Sequence, residues 1–259
     1  MEFEKNGCRM HYAQVGEGRD IVLLHGWGGC IDSWKPLMRD LQAHARVSAL
    51  DFPGHGQSAE PPAPWDVSDF AQATAEWMRA AGIEKADVVA HSFGGRVAIV
   101  LAAEHPELVG KLVLTGVPVP GLLENRPNAK KRLRGFVYRT LRSLCSARLL
   151  GAARAARLRE ALVQRFGSPD YRALSPSMRQ TFNRVIAQNL AVFLPKIRAA
   201  TLLIWGSEDT AAPLAIARML EKRLQDAGLV VFEGVDHFAY LRQYPRFYAI
   251  VQNFLLKGR

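Results

Sequence analysis

The stretch Val88-Val-Ala-His-Ser-Phe-Gly-Gly95 decides how the chain is read. An apolar run ends at Ala90, a serine stands at 92, and a helical pattern begins at Phe93. Strand, turn and helix therefore follow one another with no intervening loop. Such a turn is tight enough to force the serine into strained dihedrals, and bulk two residues before or after it would collide with the backbone. Ala90 and Gly94 are the small residues that this requires. A helix starting at Phe93 also aims backbone N–H groups and its positive end at the serine. A five-residue match also fits an ordinary strand–helix turn, so the rest of the chain carries the decision.

Upstream, Ile21–Leu24 reads as a strand followed by the turn His25-Gly-Trp-Gly-Gly29, then a helix carrying Trp34, Leu37, Met38 and Leu41. Val47–Phe52 is a strand ending in Pro53-Gly-His-Gly56, and Val67, Phe70, Ala71, Thr74, Trp77 and Met78 mark a helix that stops before Gly82. The segment 86–90 is a strand, 93–104 a helix and 111–115 a strand. Further on come a strand at 201–205, a helix at 213–227, a strand at 229–232 and a helix at 238–256. Short continuous apolar strands alternating with helices predict an α/β fold with a mostly parallel, doubly wound sheet buried on both faces.

From Pro118 to about Pro195 the alternation stops, and Arg, Leu and Ala dominate. Leu133, Phe136, Val137, Leu141, Leu144 and Cys145 share one helical face, with Arg134, Arg139 and Arg142 elsewhere on the wheel. The expected organisation is a core of residues 1–117 and 197–259 with an inserted all-helical cap at 118–196.

Charge separates the two parts. The 259-residue chain carries 34 Lys and Arg against 24 Asp and Glu, a net +10 that on its face points to an acidic partner. Between Pro118 and Arg198 there are 17 basic and 3 acidic residues, a net +14, so the remainder is mildly acidic at −4. The surplus belongs to the insert. With 49% hydrophobic and 22% charged residues, the chain is not disordered or fibrous. No apolar run approaches the ~18 residues of a membrane span. The first residues lack the pattern of a signal peptide, and three scattered cysteines argue against a disulfide framework or zinc site. A cytoplasmic setting is the expectation.

Four further stretches join the serine motif: His25-Gly-Trp-Gly28, Asp51-Phe-Pro-Gly-His-Gly-Gln-Ser58, Gly206-Ser-Glu-Asp-Thr-Ala-Ala-Pro213 and Asp236-His-Phe238. In this order they resemble the α/β-hydrolase superfamily, and the resemblance spans nearly the whole chain. It implies a serine esterase of the carboxylic ester hydrolase class with a catalytic triad. Ser92 is the implied nucleophile in its elbow, and His237 the base that takes and returns its proton. Asp209 orients the imidazole; it stands three residues after Gly206 and four before Pro213, the family spacing. Glu208 is the neighbouring alternative, and Asp236 reads as a loop-capping residue. The oxyanion-hole donors implied are the backbone N–H groups of Trp27 and Phe93. Trp27, His91 and Phe238 are the candidate lining of a substrate pocket. A serine nucleophile excludes the relatives with an aspartate there, the epoxide hydrolases and haloalkane dehalogenases, and leaves carboxylesterase, thioesterase, lipase-like and carbon–carbon bond hydrolase activities open.

The remaining histidines carry less weight. His25 and His55 read as structural, and His11, His44 and His105 have no motif around them. No histidine pair has metal-site spacing, and neither a G-x-G-x-x-G nor a Walker lysine follows the glycines at 26–29, so neither metal nor nucleotide cofactor is expected.

The expected substrate is a small to medium ester or thioester. The Arg-rich cap and the Gly-Trp-Gly turn also resemble a biotin-pathway esterase acting on an acyl carrier protein, which would make the cap a dock for an acidic carrier protein. An anionic membrane surface is the other reading of Arg, Leu and Phe at helical spacing, and nucleic acid ranks last. A non-catalytic binding protein on this fold is the alternative class.

Overall fold

The computed structural model describes residues 1–5, 7–122, 151–166 and 169–256. Eight strands make one sheet among them: β1 Glu2–Lys5, β2 Cys8–Val15, β3 Asp20–Leu24, β4 Arg46–Leu50, β5 Ala86–His91, β6 Val109–Thr115, β7 Thr201–Gly206 and β8 Ala227–Phe232. Their order is β1-β2-β4-β3-β5-β6-β7-β8. The contacts of β2 with β1 and β4 are antiparallel and all the others are parallel. This is the α/β arrangement expected from the alternating runs, extended by two N-terminal strands. In Cys8-Arg-Met, the buried Cys8 and Met10 flank an exposed Arg9, an alternation that points to a strand with one buried face.

The sheet divides its side chains between two apolar layers. Val22, Leu24, Val88, Ala90, Leu112 and Leu114 face the layer holding α2 (Val67–Ala80) and α3 (Phe93–Glu104). Ile21, Leu23, Val47, Ala49, Val89 and Val113 face the other, with α1 (Lys35–Leu41). Burial on both faces is what the uninterrupted apolar strands require. Helix α2 is stopped in front by Asp66, whose carboxylate accepts from the N–H groups of Ser68 and Asp69, while Asp69 accepts from the N–H of Asp66.

Contacts divide the chain into Met1–Leu123 with Gln180–Arg259, and Glu124–Arg179. Within the second unit, the described elements are α4 (Ala152–Phe166), α5 (Pro169–Ala173) and the start of α6 (Pro176–Ala187). Arg179 reaches Glu160 at 2.5 Å and the carbonyl of Arg172 at 2.7 Å, and lies over the ring of Tyr171. Arg154, Arg157, Leu158 and Arg165 are exposed along α4. The helical face expected from Leu133, Phe136, Val137, Leu141, Leu144 and Cys145, with Arg134, Arg139 and Arg142, lies outside the described residues.

Residues from Gln180 onward pack within the first unit. Gln188 accepts from Val67 N–H and donates to the Ser68 hydroxyl, and buried Arg96 donates to the carbonyl of Val185 at 2.8 Å. The contact boundaries thus fall inside those drawn from composition.

After β7 come α7 (Leu214–Arg223), and after β8 α8 (Ala239–Arg242) and α9 (Tyr244–Leu256). The single helix expected over 238–256 is therefore two. Pro245 has no N–H to continue the first and suits the opening turn of the second. Among the described residues no helix is long and apolar enough to cross a membrane.

Candidate active site

Three loops at the ends of β5, β7 and β8 bring the predicted residues together. Ser92 follows β5 with φ 51° and ψ −112°, and no other described non-glycine residue has a positive φ. Holding a serine there costs on the order of 1–3 kcal/mol. The turn persists because its surroundings over-determine it. Ser92 N–H is tied to the carbonyl of Thr115 at 3.0 Å, and Gly94 abuts the backbone of β3. A Cβ on Gly94 would lie 2.3 Å from the Leu24 carbonyl oxygen, which is why that position is small.

His237 lies beyond β8. Its Nε2 is 3.0 Å from Ser92 Oγ, and its Nδ1 is 2.8 Å from Asp209 Oδ2, although the serine and histidine are 145 residues apart. Asp209 is buried beyond β7, and its other oxygen accepts from the N–H groups of Ala211 at 2.9 Å and Ala212 at 2.7 Å. With those donors fixing the carboxylate, Nδ1 of His237 must carry the proton, and Nε2 presents its lone pair to the serine. Glu208 is exposed and has no part in this row. Asp236 accepts from the Phe238 N–H at 3.0 Å and pairs with Arg242, a loop-capping geometry.

The turn after β3 lies on the other side of the serine. A Cβ on Gly26 would come within 3.3 Å of Ser92 Cβ. The turn is closed by Gly29 N–H to the Gly26 carbonyl, with Trp27 inside it. The indole of Trp27 packs edge-on against Phe93, His55 and Phe182. Phe238 is 44% exposed, so it offers an apolar face to solvent beside His237. His91 is buried, with its Nε2 3.1 Å from the His237 carbonyl oxygen.

Two residues matter more than their motifs indicated. The Asp51 carboxylate accepts from Ile31 N–H at 2.8 Å, from Gln57 N–H at 3.0 Å and from His11 Nδ1 at 3.0 Å. One buried carboxylate thereby ties Ile31, just past the turn after β3, to Gln57, just past the Pro53–Gly56 loop, and to β2. His25 donates from Nδ1 to the Gly26 carbonyl at 2.7 Å and accepts at Nε2 from Phe52 N–H at 3.0 Å. Burial, helped by nearby His55, pushes its pKa down to about 4 and keeps it neutral. Burial likewise lowers His55, and burial beside the His237 ring lowers His91 to about 3. Neither a lone Asp nor a lone His announces such bonding in sequence, because the partners are backbone groups brought in by tertiary contact.

Comparison with known proteins agrees with the architecture. The alpha/beta hydrolase fold family matches residues 21–243. A 2-hydroxy-6-oxononadienedioate/2-hydroxy-6-oxononatrienedioate hydrolase of Paraburkholderia phymatum is 31% identical over 273 aligned residues, covering 95% of this chain and 91% of that protein. The meta-cleavage product hydrolase of Pseudomonas fluorescens is 25% identical with a TM-score of 0.73, over 100% of this chain and 98% of the other. The enol-lactonase of Burkholderia xenovorans is 25% identical with a TM-score of 0.75, over 99% and 100% of the two chains. The chain belongs to the alpha/beta hydrolase fold family and is a hydrolase.

Proposed function

We propose that this chain is a serine acyl hydrolase in which Ser92, His237 and Asp209 act as a triad on an ester or thioester. The observation that carries this is the unbroken row from Asp209 Oδ2 through His237 to Ser92 Oγ, at 2.8 and 3.0 Å. Ser92 Oγ attacks the carbonyl carbon as its proton passes to His237 Nε2. The N–H groups of Phe93, free at the first turn of α3, and of Trp27 receive the negative oxygen. His237 returns the proton to the leaving oxygen or sulfur, leaving Ser92 acylated. Water then repeats the attack with His237 as base, and the acid departs. A triad intact in all three members speaks against the non-catalytic alternative.

A second reading draws on the relatives. One is a 2-hydroxy-6-oxononadienedioate/2-hydroxy-6-oxononatrienedioate hydrolase, one a meta-cleavage product hydrolase and one an enol-lactonase. The same serine attack at a ketone would break a carbon–carbon bond once the departing carbon has been protonated, so a carbon leaving group is the competitor to oxygen.

A panel of p-nitrophenyl esters from two to sixteen carbons, run beside a 2-hydroxy-6-oxo-dienoate, decides between them. Ester turnover that vanishes in Ser92→Ala is the expected result. Cleavage of the dienoate with far higher kcat/KM than any ester would move the assignment to carbon–carbon hydrolysis, and equal rates for Ser92→Ala and wild type would remove the triad. The net +11 of residues 124–179, with 14 basic and 3 acidic side chains, supports a carrier-protein-bound acyl group as the natural substrate. Carrier binding should then weaken steeply with salt while small-ester turnover does not; salt-independent binding would exclude this docking role.

A further inference from the structure

The nucleophile and its base reside on elements far apart in sequence, and their separation must be held to a fraction of an ångström. The elbow fixes Ser92. The loop carrying His237 is fixed by Glu208 N–H to the Val235 carbonyl at 2.9 Å and by Gly234 N–H to the Ser207 hydroxyl at 2.9 Å. Both ties run to the strand end that carries Asp209, and neither refers the histidine to the serine.

His91 supplies that reference. It ends β5 immediately before Ser92, and its Nε2 lies 3.1 Å from the carbonyl oxygen of His237 itself. A carbonyl only accepts, so Nε2 carries the proton and Nδ1 the lone pair. The ring is 4% exposed and is packed by His237 at 4.8 Å, Tyr240 at 4.7 Å and Phe238 at 5.5 Å between centroids. Its Nδ1 edge meets Gly26, where a Cβ would come within 2.8 Å. One imidazole thus touches the turn after β3 and the histidine loop, and it is joined covalently to the nucleophile. Its charge state suits the place: His237 becomes a cation during the proposed reaction, and a neutral ring beside it adds no repulsion.

Resting on the triad reading above, we infer that His91 is a positioning residue, whose Nε2–H bond to the His237 carbonyl sets the distance between the base and Ser92. The donor should then matter more than the ring. His91→Phe keeps a planar ring and deletes the donor, whereas His91→Gln places an amide N–H at similar reach. A displacement of about 1 Å at a reacting pair costs up to about a hundredfold in rate.

The experiment measures kcat and KM on a p-nitrophenyl ester, the rate of Ser92 labelling by a fluorophosphonate, and thermal melting. His91→Phe is expected to lose about 10- to 100-fold in kcat and in labelling rate with KM within about twofold, and His91→Gln to recover most of both. Wild-type kcat in His91→Phe would overturn the inference. So would equal losses in the two variants at equal melting temperature, the result a purely structural role predicts. Should His91→Phe not fold, His91→Leu carries the same expectation. Ser92→Ala runs in parallel: if it labels and turns over like wild type, the triad reading has failed, whereas its silence beside an unaffected His91→Phe condemns the positioning role alone.

Discussion

Gly94 of α3 and the carbonyl of Leu24 on β3 leave no room for a methyl group, since a Cβ on the glycine would lie 2.3 Å from that oxygen. Gly94→Ala must therefore push the first turn of the helix away from the sheet. Overpacking of this kind costs about 1–3 kcal/mol. A lower urea midpoint together with a loss of ester turnover of at least about tenfold is expected, because the Phe93 N–H moves with the turn. Wild-type kinetics in this variant would mean that the helix start is not held as described.

Asp209→Asn tests the tautomer. The amide oxygen can still accept from Ala211 and Ala212, so the loop should hold, but the NH2 group then faces His237 Nδ1. The imidazole must turn its lone pair to the amide and carry its proton on Nε2, where it cannot take one from Ser92. A fall in kcat of about 10³–10⁴ with little change in melting temperature is the expected outcome.

Asp51→Asn removes an anion that accepts from Ile31 and Gln57 N–H and from His11. An amide has one oxygen for these donors and turns an N–H group toward the rest. The unsatisfied contacts should cost about 1–3 kcal/mol in a urea melt. Turnover should also fall, since the segment that follows the Trp27 turn loses its tie through Ile31 to Gln57.

The buried neutral histidines make the fold acid-sensitive. His25 and His91 titrate near 4 and 3 in the folded chain against 6.5 when free. The unfolded chain takes up protons first as the pH falls. Stability is therefore complete above about pH 6.5, declines through the interval down to about 4 for His25, and keeps declining to about 3 for His91. Urea midpoints across this range should drop steeply, and His91→Gln should make the slope shallower. A flat profile would mean that these rings are solvated.

Thr115, at the end of β6, has a buried hydroxyl with no hydrogen-bond partner among the described residues, while its backbone carbonyl holds Ser92 N–H. Thr115→Val keeps the shape and removes the orphaned group. The variant should be as stable as wild type or more stable by about 1 kcal/mol in chemical denaturation.

How much of this was legible in the chain follows from where each partner lies. Ser92 was legible because its small neighbours and its strand–helix setting are local. Asp209 and His237 were legible because turn residues with characteristic spacing surround them. The bond from His91 to the His237 carbonyl was not legible, because it joins residues 146 apart through a backbone group with no residue signature. Asp51 stood inside a visible motif, yet its partners His11 and Ile31 belong to other segments. The strand at Cys8–Val15 carries little sequence signal, because its polar face, with Arg9 exposed, dilutes the apolar one.

The inserted segment leaves the sheet after β6 and returns before β7, whereas the serine, aspartate and histidine follow β5, β7 and β8. Their mutual distances are set by strand register and by bonds among those loops. None of these three loops lies within the 56 residues of Glu124–Arg179, so exchanging arginines there for other side chains is expected to leave small-ester turnover unchanged. On the triad reading proposed above, the choice of compound and the chemistry applied to it can drift independently, and descendants sharing one proton relay can serve quite different metabolic ends.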